Sequence, residues 1–229
     1  LAFSNIEFYP HFERHSDTER RFSFLSKFIF NKNLLDFGCG YGEFLKKSKN
    51  FAKSVTGIEL QRNLINEINT LGIKCYDDLK LIKKESIDTC VLFHSFEHLS
   101  DPLNSLKKIN SKIVKGGFII IEVPHARDIL LNDYRVQQFK KYSLWSQHLI
   151  LHTKQSLRSF LLNAGFCEIN IIGVQRYPLS NHLNWLIAKE PGGHKKPLSF
   201  LDTEGLVLEY ENSLSKIDAT DTLLLIAKK

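Results

Sequence analysis

Leu34-Leu35-Asp36-Phe37-Gly38-Cys39-Gly40-Tyr41-Gly42-Glu43 is the stretch that decides the fold of this chain. A short apolar run ends in a carboxylate, three glycines alternate with other residues, and a partly apolar segment follows from Phe44. Asn33 to Phe37 therefore reads as a buried strand and Phe44 to Lys49 as a helix. The glycines between them let the backbone turn tightly and approach a ligand with no Cβ in the way. A dinucleotide-binding turn wants G-x-G-x-x-G, with pyrophosphate on the helix N-terminus. Here the third glycine comes one residue early and Glu43 stands in its place. Asp36 and Glu43 would repel a pyrophosphate and suit a ligand that presents an ammonium and a sulfonium. Taken alone, the glycines are a weak signal with a plain tight turn as the alternative; the strand before them, the helix after them and the carboxylate beside them add to it.

Outward from this turn, strand and helix alternate, the pattern of a parallel α/β sheet. Ser54 to Glu59 reads as a second strand, Gln61 to Leu71 as an amphipathic helix stopped at Gly72, and Ile73 to Tyr76 as a third strand. Ile87 to Phe93 is a fourth, and Asp101-Pro102 opens a helix to about Val114 with Pro in its first turn. Gly116-Gly117 read as the turn into a fifth strand, Phe118 to Val123. The rhythm then breaks. Residues 124–152 precede the next helix, near Thr153, and residues 175–220 lie between a strand from Phe166 to Val174 and the last one, Thr222 to Ala227. Excursions of this length are expected to be substrate walls or inserted subdomains. The organisation predicted is a single domain over 1–229, with residues 1–30 as an N-terminal helical cap.

Composition narrows the class. The 229 residues are 43% hydrophobic and 24% charged, a globular balance that excludes a disordered or fibrous chain. No apolar run approaches the ~18 residues needed to span a bilayer. The polar N-terminus shows no secretory signal, so a cytoplasmic protein is expected. Cys39, Cys75, Cys90 and Cys167 are far apart, which suits reduced thiols better than disulfides or a zinc site. The net charge of +6 is spread over scattered lysines. It reads either as a solvated surface or as attraction for an anionic ligand, and without a basic stripe interleaved with aromatics no nucleic acid is expected.

Glu59 ends the second strand, where an acid can accept both hydroxyls of a ribose; a helix-capping Glu is the alternative. Asp77-Asp78 close the third strand, placed either to meet an adenine amino group or to cap a helix.

LLDFGCGYGEFL (34–45), VTGIEL (55–60), DTCVLFHSFEHLSDP (88–102), VKGGFIIIEVPHA (114–126) and TKQSLRSFLLNAGF (153–166) resemble the successive motifs of class I S-adenosylmethionine-dependent methyltransferases. The likeness extends to the branch with E-H-x-x-D-P after the fourth strand, here Glu97 to Pro102. It implies a Rossmann-like α/β fold, a seven-stranded sheet ordered 3-2-1-4-5-7-6 with the last strand antiparallel, helices on both faces, and insertions after strands 5 and 6. It also implies S-adenosylmethionine as cofactor and S-adenosylhomocysteine as product. Asp36, Phe37, Gly38, Gly40 and Gly42 would line the methionine end, Glu59 and Leu60 the ribose, and Asp77 or Asp78 the adenine. Phe93 and His94 would flank the methionine moiety.

The insertions carry WSQHL, QRYPLSNHL and PGGH, and the tail carries Thr220-Asp221-Thr222-Leu223. These are similar to segments of bacterial methyltransferases found in surface-polysaccharide gene clusters. That likeness implies a small-molecule or nucleotide-linked sugar acceptor, bound by Trp145, Gln147, Arg176, Tyr177, Asn181 and His194. Arg176 would pair with a phosphate. A hydroxyl acceptor needs a base near neutral pKa: His148 is the first candidate, with His94, His182 and His125 as rivals. A quinone-like or other small metabolite, an RNA, and a cofactor-binding module without catalysis remain alternatives. His98, four residues after His94, mimics a metal pair, but no third ligand is spaced to complete it, so no metal is expected.

Overall fold

The computed structural model describes residues 11–144 and 148–229. Its strands are β1 (Asn33–Phe37), β2 (Ser54–Ile58), β3 (Lys74–Tyr76), β4 (Ile87–Phe93), β5 (Ile113–Pro124), β6 (Cys167–Val174) and β7 (Thr222–Lys228). They form one sheet in the order β3-β2-β1-β4-β5-β7-β6, as expected. β1 to β5 pair in parallel, and β7 runs antiparallel to both β5 and β6.

The period-2 geometry of the central strands sorts their side chains onto two faces. Leu35, Leu92, Ile119, Ile121, Leu223 and Leu225 meet Leu106 and Ile109 of α4 (Pro102–Asn110) and Leu157 and Leu161 of α6 (Lys154–Asn163). Leu34, Val91, Ile120 and Leu224 point the other way, onto Leu25 and Ile29 of α1 (His11–Ile29) and Phe44 of α2 (Glu43–Ser48). A third cluster, Leu45, Ile68, Ile73 and Cys75, seats α3 (Arg62–Thr70) beside β3. Each such leucine or isoleucine, fully buried, contributes about 1.5–3 kcal/mol.

One boundary differs from expectation. Gly116-Gly117 do not precede β5 but lie inside it, opposite a register shift between Ile87 and Thr89 of β4. A Cβ on Gly117 would sit 2.7 Å from the Asp88 carbonyl oxygen, so the pair allows a bulge where two backbones crowd.

Both long excursions lie at the C-terminal ends of the strands. The first holds α5 (Gln137–Ser143); the second holds α7 (Leu179–Ile187) and α8 (Glu204–Lys216). They share a small core of Leu130, Val136 and Trp185, with Phe139 edge-on to Trp185 at 5.1 Å. The first excursion returns to the sheet through a bridge between His125 and His152. Among the described residues no helix is long and apolar enough to cross a membrane.

Candidate active site

The turn from β1 to α2 builds one wall. Gly38 has φ +79°, and a Cβ there would lie 2.6 Å from that of Ser95, whose hydroxyl donates to the Phe37 carbonyl at 2.8 Å. Gly40 has φ +52° and open space where a Cβ would project. Its N–H donates to Glu59 at 2.9 Å, and the other Glu59 oxygen accepts from the Leu60 and Gln61 amides at 2.7 and 2.9 Å. An ionised carboxylate offers about four acceptor positions, so Glu59 holds the turn in place and keeps little capacity beyond it.

Asp36 is buried, and its Oδ1 accepts no hydrogen bond among the described residues. Burial pushes its pKa up to about 7; Arg21 opposes that rise and Glu59 adds to it. A desolvated acid with an open lone pair beside an uncluttered glycine backbone fits the cationic end of a ligand.

A cavity of about 880 Å³ opens from this wall across the ends of β4 and β5 to the insertions. Asp36, Gly38, Phe93 and His94 line its floor; His125, His148, Arg176, Tyr177, Asn181, His182 and His194 line the rest. Other predicted residues fall outside the lining. Phe37 packs into the core, and Gly42 caps α2 with Ile68 behind it. Leu60, Asp77 and Asp78 are exposed. Of the two readings of Asp78, the capping one is seen: its side chain accepts from the Lys80 amide at 2.8 Å. Trp145 and Gln147 lie outside the described residues.

The four candidate histidines differ in what their nitrogens do. His182 Nε2 lies 3.2 Å from Gln175 Nε2, and its Nδ1 shares a hydrogen bond of 2.7 Å with the Tyr210 hydroxyl. Burial holds this imidazole down to about 4. His125 Nδ1 donates to the Thr220 carbonyl at 3.0 Å, and burial also depresses its pKa. His125 ties the second insertion to the end of β5, and His182 ties α7 to α8 within that insertion. His148 Nδ1 donates to the Ser143 carbonyl at 2.7 Å, which leaves the ring's lone pair on Nε2. Burial lowers its pKa, partly offset by Glu97, so it is a neutral imidazole at pH 7. His94 follows β4 at φ +48°, with Nε2 3.3 Å from Glu122 and Nδ1 3.5 Å from Glu97.

Sequence reasoning missed an ionic network beneath the site. Glu122 is fully buried and receives Arg20 Nη2 at 2.9 and 3.0 Å, Arg21 Nε at 3.0 Å and Arg21 Nη2 at 2.6 Å. Burial works against its charge, but Arg21, His94 and Arg20 hold its pKa well below the carboxylate range. Arg20 also reaches Asp17 at 3.0 Å, and Asp17 forms a second ion pair with Arg176. The Arg176 guanidinium is thus turned onto Asp17 of α1, where the sequence reading expected it to face a phosphate. Asn181 likewise spends its Oδ1 on the Gly192 and Gly193 amides, at 2.9 and 3.1 Å. The available signal was Glu122 itself: a lone charge inside Ile119-Ile120-Ile121-Glu122-Val123 must be buried with a partner.

A family model described as a methyltransferase domain matches residues 11–169. Solved structures share the architecture at low identity. A SAM-dependent methyltransferase from Archaeoglobus fulgidus is 19% identical, with 94% of each chain covered and a TM-score of 0.65. A possible histamine N-methyltransferase from Thermotoga maritima is 16% identical, covering 95% of this chain and 98% of that one, at a TM-score of 0.58. Phosphoethanolamine N-methyltransferase 2 of Haemonchus contortus, solved with S-adenosyl-L-methionine, is 15% identical over 92% of this chain and 52% of its own, at 0.60. No curated protein matches the chain by sequence.

Proposed function

This chain belongs to the methyltransferase domain family, and from that premise we propose that it methylates a hydroxyl of a sugar or related polar unit destined for bacterial capsule or lipopolysaccharide, in the cytoplasm. S-adenosylmethionine is the donor, and when bound it supplies an electrophilic methyl that passes to the acceptor oxygen as the S–C bond breaks. The observation that carries the reading is the pairing, in one cavity, of the desolvated Asp36 carboxyl with the neutral imidazole of His148.

In this reading Asp36 neutralises the donor's positive end, and the Gly38–Gly40 backbone gives it close approach. Glu59 keeps that backbone in register and offers its remaining acceptor position to a ribose hydroxyl. His148 Nε2 takes the acceptor's proton, steadied by the Ser143 carbonyl on Nδ1. Tyr177 and His194 give the far wall hydrogen-bonding groups suited to a hydroxylated ligand, whereas a prenylated ring would want an apolar mouth. A second reading, a small amine acceptor, draws on the buried acids Glu97 and Asp128 in the cavity lining and on the amine substrates named for two solved neighbours.

Calorimetry with S-adenosylmethionine and S-adenosylhomocysteine, followed by a screen of nucleotide sugars and small amines, tests the proposal. His148→Ala is expected to bind the cofactor normally and to lose at least about 100-fold in turnover on the true acceptor. Absence of binding to either nucleoside would sink the donor assignment. Methylation of amines alone would remove the sugar reading.

A further inference from the structure

Glu97 sits in the short turn Phe96–His98 after β4, with its side chain fully buried. Neither of its oxygens accepts a hydrogen bond among the described residues. A carboxylate stripped of water and of donors is strongly disfavoured unless a positive charge comes to it. Around it stand imidazoles: His94 Nδ1 is 3.5 Å and His98 Nε2 3.9 Å from Oε1. The His148 ring lies 5.1 Å from that of His98. One ligand atom each from Glu97, His98 and His148 can be chosen so that all lie within 4.8 Å of one another.

These separations are too long for good hydrogen bonds, but they bracket the space of an ion. Donors about 2.0–2.2 Å from a tetrahedral centre are roughly 3.4 Å apart, within reach of small side-chain rotations. The outer shell is also present. The Ser143 carbonyl takes the Nδ1 proton of His148 and so directs its Nε2 lone pair, the arrangement that orients metal-bound histidines. The Leu149 and Ile150 amides both donate to the Glu97 carbonyl, at 3.0 and 3.3 Å, and this fastens the loop that carries His148 to the turn that carries Glu97. The sequence pattern could not supply this third donor, because it arrives from the far end of the first insertion.

We propose that Glu97, His98 and His148 form a binding site for one divalent transition cation of the zinc, manganese or cobalt class, opening onto the cavity. Two imidazoles with one carboxylate suit such ions better than calcium or magnesium, which favour all-oxygen shells. Three protein ligands leave a coordination position open. The ion's role, unlike its binding, rests on the proposed methyl transfer: it would hold the acceptor hydroxyl, and the oxygen, its proton released to water, would be the nucleophile. His148 would then serve as a ligand rather than as the base.

The test is to strip the full chain with a chelating resin, titrate it with cobalt chloride and record the visible ligand-field absorption. A spectrum saturating near one equivalent and displaced by zinc chloride is expected. His98→Ala and the isosteric Glu97→Gln should each weaken cobalt binding by roughly 100-fold or more, while calorimetric affinity for S-adenosylmethionine in the same samples stays unchanged. No saturable spectrum in the wild type overturns the site. So does a spectrum undiminished in both variants, which would put the ion among other histidines. Failure of the donor assignment would show separately, as no S-adenosylmethionine binding in the wild type.

Discussion

Asp36→Asn separates two consequences of placing one carboxyl in a desolvated turn. In the unfolded chain this group ionises near its ordinary value of 3.8, whereas in the folded protein it keeps its proton up to about 7. Between those values the unfolded state gains from ionisation and the folded state does not, so the protein loses stability as pH rises through that window and then levels off. At about 1.36 kcal/mol for each tenfold change in proton affinity, the full penalty is about 4 kcal/mol above pH 7 and under 2 kcal/mol at pH 5. Asn cannot ionise, so urea unfolding at pH 5 and pH 8 should show Asp36→Asn gaining about 3 kcal/mol on the wild type between the two. Binding moves the opposite way. A cationic ligand against Asp36 draws its proton off, so wild-type affinity for S-adenosylmethionine should tighten about tenfold per pH unit below 7 and level above it. The variant should bind weakly, without that slope. Parallel pH profiles for the two proteins, in stability and in affinity, would refute the reasoning.

Further outcomes can be measured on single variants. Glu122→Gln removes the countercharge that Arg20 and Arg21 share, leaving Asp17 as the acid beside Arg20, and should cost about 3 kcal/mol in urea unfolding. Because the folded pKa of Glu122 is depressed, that contribution is present above pH 4.5 and fades as pH falls below it, so the variant should also unfold less steeply in acid. Glu59→Ala removes the acceptor for the Gly40, Leu60 and Gln61 amides and should weaken cofactor binding by at least about tenfold in calorimetry; unchanged affinity would remove Glu59 from the site. Gly117→Ala puts a Cβ 2.7 Å from the Asp88 carbonyl and should lower stability by about 1–3 kcal/mol, with S-adenosylmethionine binding intact.

The sheet was legible because its evidence is local. Runs such as Phe118 to Ile121 are apolar on both faces, and the glycine turn after β1 leads into a helix as its pattern predicts. Gly116-Gly117 misled because a glycine pair signals both turns and bulges, and only the carbonyl of Asp88, on the neighbouring strand, decides between them. The cavity lining was legible at the strand ends, where Asp36 and Gly38 lie at the end of β1 and Phe93 and His94 at the end of β4. It was not legible where contacts join distant segments. Arg176 reads as an anion binder until Asp17, far away in sequence, takes its guanidinium, and His182 reads as a base until Gln175 and Tyr210 occupy both its nitrogens. His98 lacked a third companion for the same reason.

The fastening of residues 148–152 bears on how fast an acceptor associates. Leu149 and Ile150 donate to Glu97, the Ala126 amide donates to the His152 carbonyl, and the His152 ring stacks on Phe96 at 4.9 Å. The entropy of ordering this segment is therefore lost when the chain folds, not when a ligand arrives. Against such a preset surface, stopped-flow rates should climb linearly with acceptor concentration, whereas a segment that had to close over the ligand would make them reach a plateau.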